Sequence, residues 1–157
     1  MSKKRILPKV SNQEGNDETI TIDYRKNDLY KKLQKGNKVI AVELDPPYDT
    51  NYDKLIEDSF ALKEKGVDII TIADSPMGKP RVDSILTAAK IKQMVNIPVL
   101  PHMCCRDKNI IAIKAQLLGA NIHGIDNILF VTGDGVPQGS RDEIKGVFNL
   151  NSVQLMK

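Results

Sequence analysis

The feature that most constrains this chain is a repeat. A short, nearly unbroken apolar run is followed by an amphipathic stretch, at roughly thirty-residue spacing, the length of a strand plus a crossover helix. "VIAVE", Val39 to Glu43, reads as the first strand. "TNYDKLIEDSFALKEKG" reads as the helix after it, with Thr50 and Asp53 placed as a capping box and Gly66 as the stop. Val67 to Ala73 is the second strand, and "RVDSILTAAKIKQMV" follows with Val82, Ile85, Leu86 and Ala89 along one helical stripe. Ile97 to Pro101 is the third strand, and "KNIIAIKAQLLG" is a helix with Ile110, Ile113 and Leu117 on one face and Gly119 at its end. Asn127 to Thr132 is the fourth strand, followed by the turn "TGDG" and, at the end, "NLNSVQLMK", which reads as the start of a helix. Strands this continuously apolar belong to a parallel sheet covered on both faces or closed into a barrel. The expected fold class is α/β.

The first residues stand apart. From Met1 to about Thr19 the chain is polar, carries Lys3, Lys4 and Arg5, and shows no period, so residues 1–22 are expected to form a surface arm. Residues 23–157 then make up the β/α unit, opening with a short helix in "DYRKNDLYKKLQKG" that has Leu29 and Leu33 four apart and Gly36 as its stop.

Composition excludes several classes. With 157 residues, 41% hydrophobic and 27% charged, one globular domain is the natural expectation. No apolar run approaches the ~20 residues that cross a bilayer, and "MSKKRILPKV" lacks a signal peptide's apolar segment, so a cytoplasmic protein with no membrane partner is expected. A formal net charge of +3, with lysines dispersed among acids, gives no nucleic-acid footprint. Cys104 and Cys105 are adjacent, a strained arrangement for a disulfide, and are assigned to packing; no metal site is expected.

Polar residues fall at one kind of place. Each strand ends in them: Glu43 and Asp45, then Asp74 and Ser75, then His102, then Thr132 and Asp134. In parallel α/β proteins those strand ends converge on the face where active sites are built. Each residue also has a plainer explanation. Asp45, Asp74 and Asp107 suit helix caps, and His102 suits a satisfied core or loop histidine. "VTGDG" is half of a phosphate-binding glycine loop without the full pattern. Glu43 is harder to explain away, because Glu is a poor cap and an unpaired carboxylate at the end of a buried strand is expensive.

Four motifs, in order, carry a resemblance: "AVELDPP" (Ala41 to Pro47), "TIADSP" with Pro80, Arg81 and Asp83, "PHMCCRDKN" (Pro101 to Asn109) and "GIDNILFVTGD" (Gly124 to Asp134). From about Lys38 to the end, the chain resembles the flavin-dependent methylenetetrahydrofolate reductase family, particularly the reductase half of bacterial proteins that fuse it to a homocysteine methyltransferase. The resemblance implies a β/α barrel that binds FAD, takes electrons from NAD(P)H and reduces 5,10-methylenetetrahydrofolate. It implies Glu43 as the general acid, kept protonated by desolvation at the rim of an apolar barrel. Asp134 matches the aspartate beside the flavin pyrimidine edge. Thr132 and Gly133 match the close approach to the ring, and Thr71, Asp74 and His102 fall where the family contacts FAD. Gly135 stands where relatives usually have proline, and Cys104 where threonine is commoner. A full barrel needs ~250 residues and eight strands, so the four strands here are expected to be the N-terminal half of a TIM-type (β/α)8 barrel. A fragment of a longer product is the favoured expectation. Assembly of two copies, a non-catalytic half-barrel acting in assembly or regulation, and a barrel enzyme binding a phosphorylated ligand at "TGDG" are the alternatives.

Overall fold

The strands pair side by side in the order in which the chain makes them. The computed structural model describes residues 10–11, 17–18 and 27–157. A two-residue antiparallel pair, β1 (Val10–Ser11) and β2 (Asp17–Glu18), stands by itself, and the rest of the expected arm, 1–22, lies outside the described residues. The main sheet has four parallel strands in the order β3 (Ala41–Leu44), β4 (Ile69–Ile72), β5 (Val99–Cys104), β6 (Leu129–Val131). A right-handed crossover after each strand then leaves every crossover helix on the same side. A doubly wound sheet reverses its strand order at a switch point, and no reversal occurs among the described residues. The architecture is α/β, four singly wound β/α units, as in half of a TIM-type barrel.

The three crossover helices are α2 (Asp53–Glu64), α3 (Ser84–Val95) and α4 (Ile110–Ile122). α3 packs on β4 and β5 and is flanked by α2 and α4. Their shared core includes Ile56, Ile70, Ile72, Ile85, Ile91, Val99, Met103 and Ile113. Burying one side chain the size of Ile91 contributes about 1.5–3 kcal/mol. The stripe of α3 differs from the expected one: Leu86 is 59% exposed, whereas Ser84, Ile85, Thr87, Ala88, Ile91 and Val95 are buried. Small polar residues let the helix sit close to the sheet, and a count of apolar positions overlooks them.

Helix ends also depart from the sequence pattern. Thr50 and Asp53 form no capping box. Asn51 Oδ1 instead accepts from the Asp53 N–H at 2.9 Å, and Asp49 accepts from the Asn51 N–H at 2.9 Å. α4 runs through Gly119 and stops only at Gly124, whose φ of +66° suits a residue without Cβ. α1 (Asp28–Gln34) lies under the N-terminal ends of the strands, where Asn27 donates to Asn127 Oδ1 at 2.8 Å and Lys32 pairs with Asp68. α5 (Ser152–Leu155) opens with a true capping box between Asn151 and Gln154 and packs on β6. Among the described residues, no helix is long and apolar enough to cross a membrane.

Candidate active site

Strand alternation and register select which side chains meet. Glu43 on β3 is opposite Thr71 on β4, and Thr71 is opposite Leu100 on β5, two residues before His102. Side chains alternate faces along a strand, so Glu43, Thr71, Leu100 and His102 share the face turned away from the helices. On β5, Val99, Pro101 and Met103 are buried toward the helices while Leu100 and His102 are half-buried on the other side. The strand continues to Cys104, so His102 belongs to the strand rather than to the loop after Pro101.

On that face Glu43 Oε2 lies 3.6 Å from His102 Nε2, with the two side chains 59% and 14% exposed. The expectation that Glu43 ends a buried strand is corrected: β3 is an edge strand of the four, and its inward residues Ala41 and Glu43 are exposed. The desolvation invoked for this carboxyl is therefore not supplied by the residues described. Thr71, at 9% exposure, sits on the neighbouring strand.

Asp74 and its neighbours form a buried framework behind this face. Its carboxylate accepts from the Cys104 N–H at 2.9 Å and pairs with Lys108, the two side chains being 6% and 13% exposed. Both contacts fall on Oδ2, and Oδ1 has no hydrogen bond among the described residues. Arg106, 3% exposed, grips Asp107 through Nε and Nη2, each at 2.7 Å, and Nη2 also donates to the Ser75 carbonyl at 3.1 Å. That guanidinium holds the Asp107 carboxyl below its ordinary range. The capping explanation for Asp45, Asp74 and Asp107 fails: α3 is capped by Asp83 and α4 by Asn109, while Asp45 pairs with Arg81 at 3.1 Å. Both cysteines are free and buried. Burial, then the charge of Asp74, pushes the Cys104 thiol up to about 11, which suits packing rather than nucleophilic chemistry.

The loop after β6 closes on this framework. Gly133 has φ +95°, and a Cβ there would sit 3.1 Å from Cys104 Cβ and 3.2 Å from Arg106 Cβ, so only glycine lets the turn lie against the end of β5. The next residue, Asp134, accepts through Oδ2 from the Met77 N–H at 2.7 Å, tying this loop to the one after β4. That second loop is strained, with Ser75 at φ 45° and Met77 at φ 56°. The Thr132 carbonyl accepts from the Cys105 N–H at 3.3 Å, and its hydroxyl lies 3.3 Å from both the Oγ and the N–H of Ser152 at the start of α5. "TGDG" leads into a loop whose only helical piece before α5 is one 3-10 turn, Gln138–Ser140, so the helix N-terminus that a phosphate loop needs is missing there among the described residues.

The structure thus brings Glu43, Thr71 and His102 together on one face and ties Asp134 and Gly133 to the adjoining loops. It turns Asp74 to an internal ion pair. Arg81, Arg106 and Lys108 were given no role by sequence reasoning. Their signal was charge in the loops that follow buried strands, in "PRVD" just before α3 and in "CRDKN" at the end of β5. A cavity of about 310 Å³ bordered by Asn27, Leu29, Lys92, Pro98 and Asp126 lies at the opposite end, under the strand starts.

Comparison with known proteins adds the family. No curated protein matches the sequence. The sequence pattern of one family, methylenetetrahydrofolate reductase, matches residues 28–156, which takes in all four parallel strands, the three crossover helices and every candidate residue above. The chain belongs to the methylenetetrahydrofolate reductase family.

Proposed function

We propose that this chain carries the hydride-transfer half of a flavin-dependent methylenetetrahydrofolate reductase, of the kind fused to a homocysteine methyltransferase in bacteria. The reaction is reduction of 5,10-methylenetetrahydrofolate to 5-methyltetrahydrofolate, with FAD as cofactor and NAD(P)H as donor, feeding methyl groups to methionine synthesis. The observation that carries the reading is the pairing of Glu43 with His102 on the open sheet face, at the strand ends where β/α proteins place their chemistry.

The residues present fit a flavin. Gly133 lets the loop lie against the end of β5, which fixes the loop, and the exposed Asp134 has a second carboxylate oxygen with no hydrogen bond among the described residues. Thr71, Asp74, His102, Thr132, Gly133 and Asp134 would hold the cofactor, which supplies the hydride when bound. Asp134 places negative charge at the rim, disfavouring an anionic reduced ring and favouring a cationic iminium on the folate. Glu43 would donate a proton to the folate nitrogen as the imidazolidine ring opens, its carboxyl desolvated only once bound ligand and whatever closes the sheet edge cover it, with His102 beside it. The backbone of β3 and β6 is unpaired on its outer edge among the described residues, and further β/α units or a second copy would close the sheet there.

An absorption spectrum of the purified chain, taken after mixing with FAD and removing the excess, tests the reading. A retained flavin band that bleaches with NADH or NADPH and returns on addition of 5,10-methylenetetrahydrofolate is expected. A colourless protein, or a bound flavin that the folate never reoxidises, would overturn the reading for this chain.

A further inference from the structure

The loop that follows Glu43 is short of backbone hydrogen bonds. Pro46 and Pro47 have no N–H to donate, and among the described residues β3 pairs only with β4. Two backbone contacts hold the segment: the Ala73 N–H donates to the Leu44 carbonyl at 3.3 Å, and the Val82 N–H to the Pro47 carbonyl at 3.1 Å. Pro46 is packed into the interior, and the side-chain hydrogen bonds to the segment among the described residues come from Arg81. Arg81 donates through Nη1 to the Pro46 carbonyl at 2.8 Å, and through Nη2 to Asp45 Oδ2 at 3.1 Å and the Tyr48 hydroxyl at 2.7 Å. Its guanidinium also lies over the Tyr48 ring, 3.5 Å from the centroid. The Arg81 side chain is 11% exposed; its bond to the Pro46 carbonyl is half-buried, while Asp45 and Tyr48 meet the guanidinium at the surface.

We propose that Arg81 is a positioning residue that sets Glu43 against His102 by clamping the Asp45 to Tyr48 loop. The inference deepens the proposed function and rests on it for the catalytic role of Glu43. A planar fork is what the arrangement requires, because three acceptors on three successive parts of a loop, plus an aromatic face, are met by one rigid guanidinium. A lysine at this position supplies charge but only one donor centre and no plane to stack.

The test reads the geometry through His102. The chain has two histidines, His102 and His123, and His123 lies at the exposed end of α4, so its ring signal serves as an internal reference in proton–carbon NMR. Glu43→Gln displaces the His102 ring signal by removing the neighbouring carboxylate. Arg81→Gln is expected to move that signal in the same direction and at least half as far, with Arg81→Lys giving a smaller displacement. In the Glu43→Gln background, Arg81→Gln is expected to add no further displacement, which separates action through Glu43 from a general structural disturbance. An unmoved His102 signal in Arg81→Gln, or the same displacement with and without Glu43, would overturn the proposal. Should Arg81→Gln fail to fold, Tyr48→Phe removes one acceptor and keeps the rest, and an unmoved signal there overturns it equally. Neither flavin nor folate enters this measurement, so a chain that retains no FAD would sink the proposed function and leave this result standing.

Discussion

Glu43 Oε2 and His102 Nε2 face each other at 3.6 Å across the width of β4, from strands that are separated by more than fifty residues of chain. The proposed function makes this carboxyl the proton donor to the folate. Glu43→Gln keeps the shape and removes the acid. Reduction of the bound flavin by NAD(P)H is expected to stay within a factor of about two, while reoxidation by the folate slows about 10²-fold or more, the usual contribution of a general acid. Stopped-flow measurement of the two half-reactions checks this, and equal losses in both would remove the assigned role.

Asp134 is exposed and fixed by the Met77 N–H. Asp134→Asn keeps an acceptor oxygen for that amide and deletes the charge. The flavin midpoint potential is expected to rise and folate turnover to fall. Potentiometric titration of the bound flavin decides it: an unchanged potential would place the carboxylate away from the ring.

Asp74 and Lys108 are a half-buried pair whose carboxylate also receives the Cys104 amide. Removing one partner strands the other, and for a pair that water partly reaches such losses run to about 1–3 kcal/mol. Asp74→Ala is expected to destabilise by an amount in that range, and Asp74→Asn by less, because the Cys104 N–H keeps an acceptor. Urea denaturation followed by circular dichroism measures both. Equal and small effects would show that the pair holds nothing.

Asp107 titrates below its ordinary range because Arg106 binds its charged form. A carboxyl whose folded value is depressed adds stability that is fully present above the unfolded value, near 3.8, and is lost as pH falls through the folded value. Asp107→Asn is therefore expected to be less stable than the parent at neutral pH, with the gap closing as pH drops below about 4. Paired denaturation curves between pH 7 and pH 3 test the sign. A gap that persists at the acid end would mean that hydrogen bonding, not charge, accounts for the pair.

The sequence by itself determined the four parallel strands, the helices between them and their order. These strands are largely apolar runs and these helices amphipathic stretches, set by local residue periodicity and neighbouring backbone, so they can be read along the chain. The placement of chemistry at strand ends was legible for the same reason, and so were the four motifs that carry the family resemblance. Tertiary structure decided the partnerships. That Asp74 pairs with Lys108, that Glu43 stands on an edge, and which side of α3 meets the sheet all depend on residues far away in sequence. Capping failed as an explanation for Asp45 because Arg81, thirty-six residues on, takes its carboxylate. Ion pairs and shared hydrogen bonds are set by distance in space, and only the register of parallel strands turns sequence spacing into such distances.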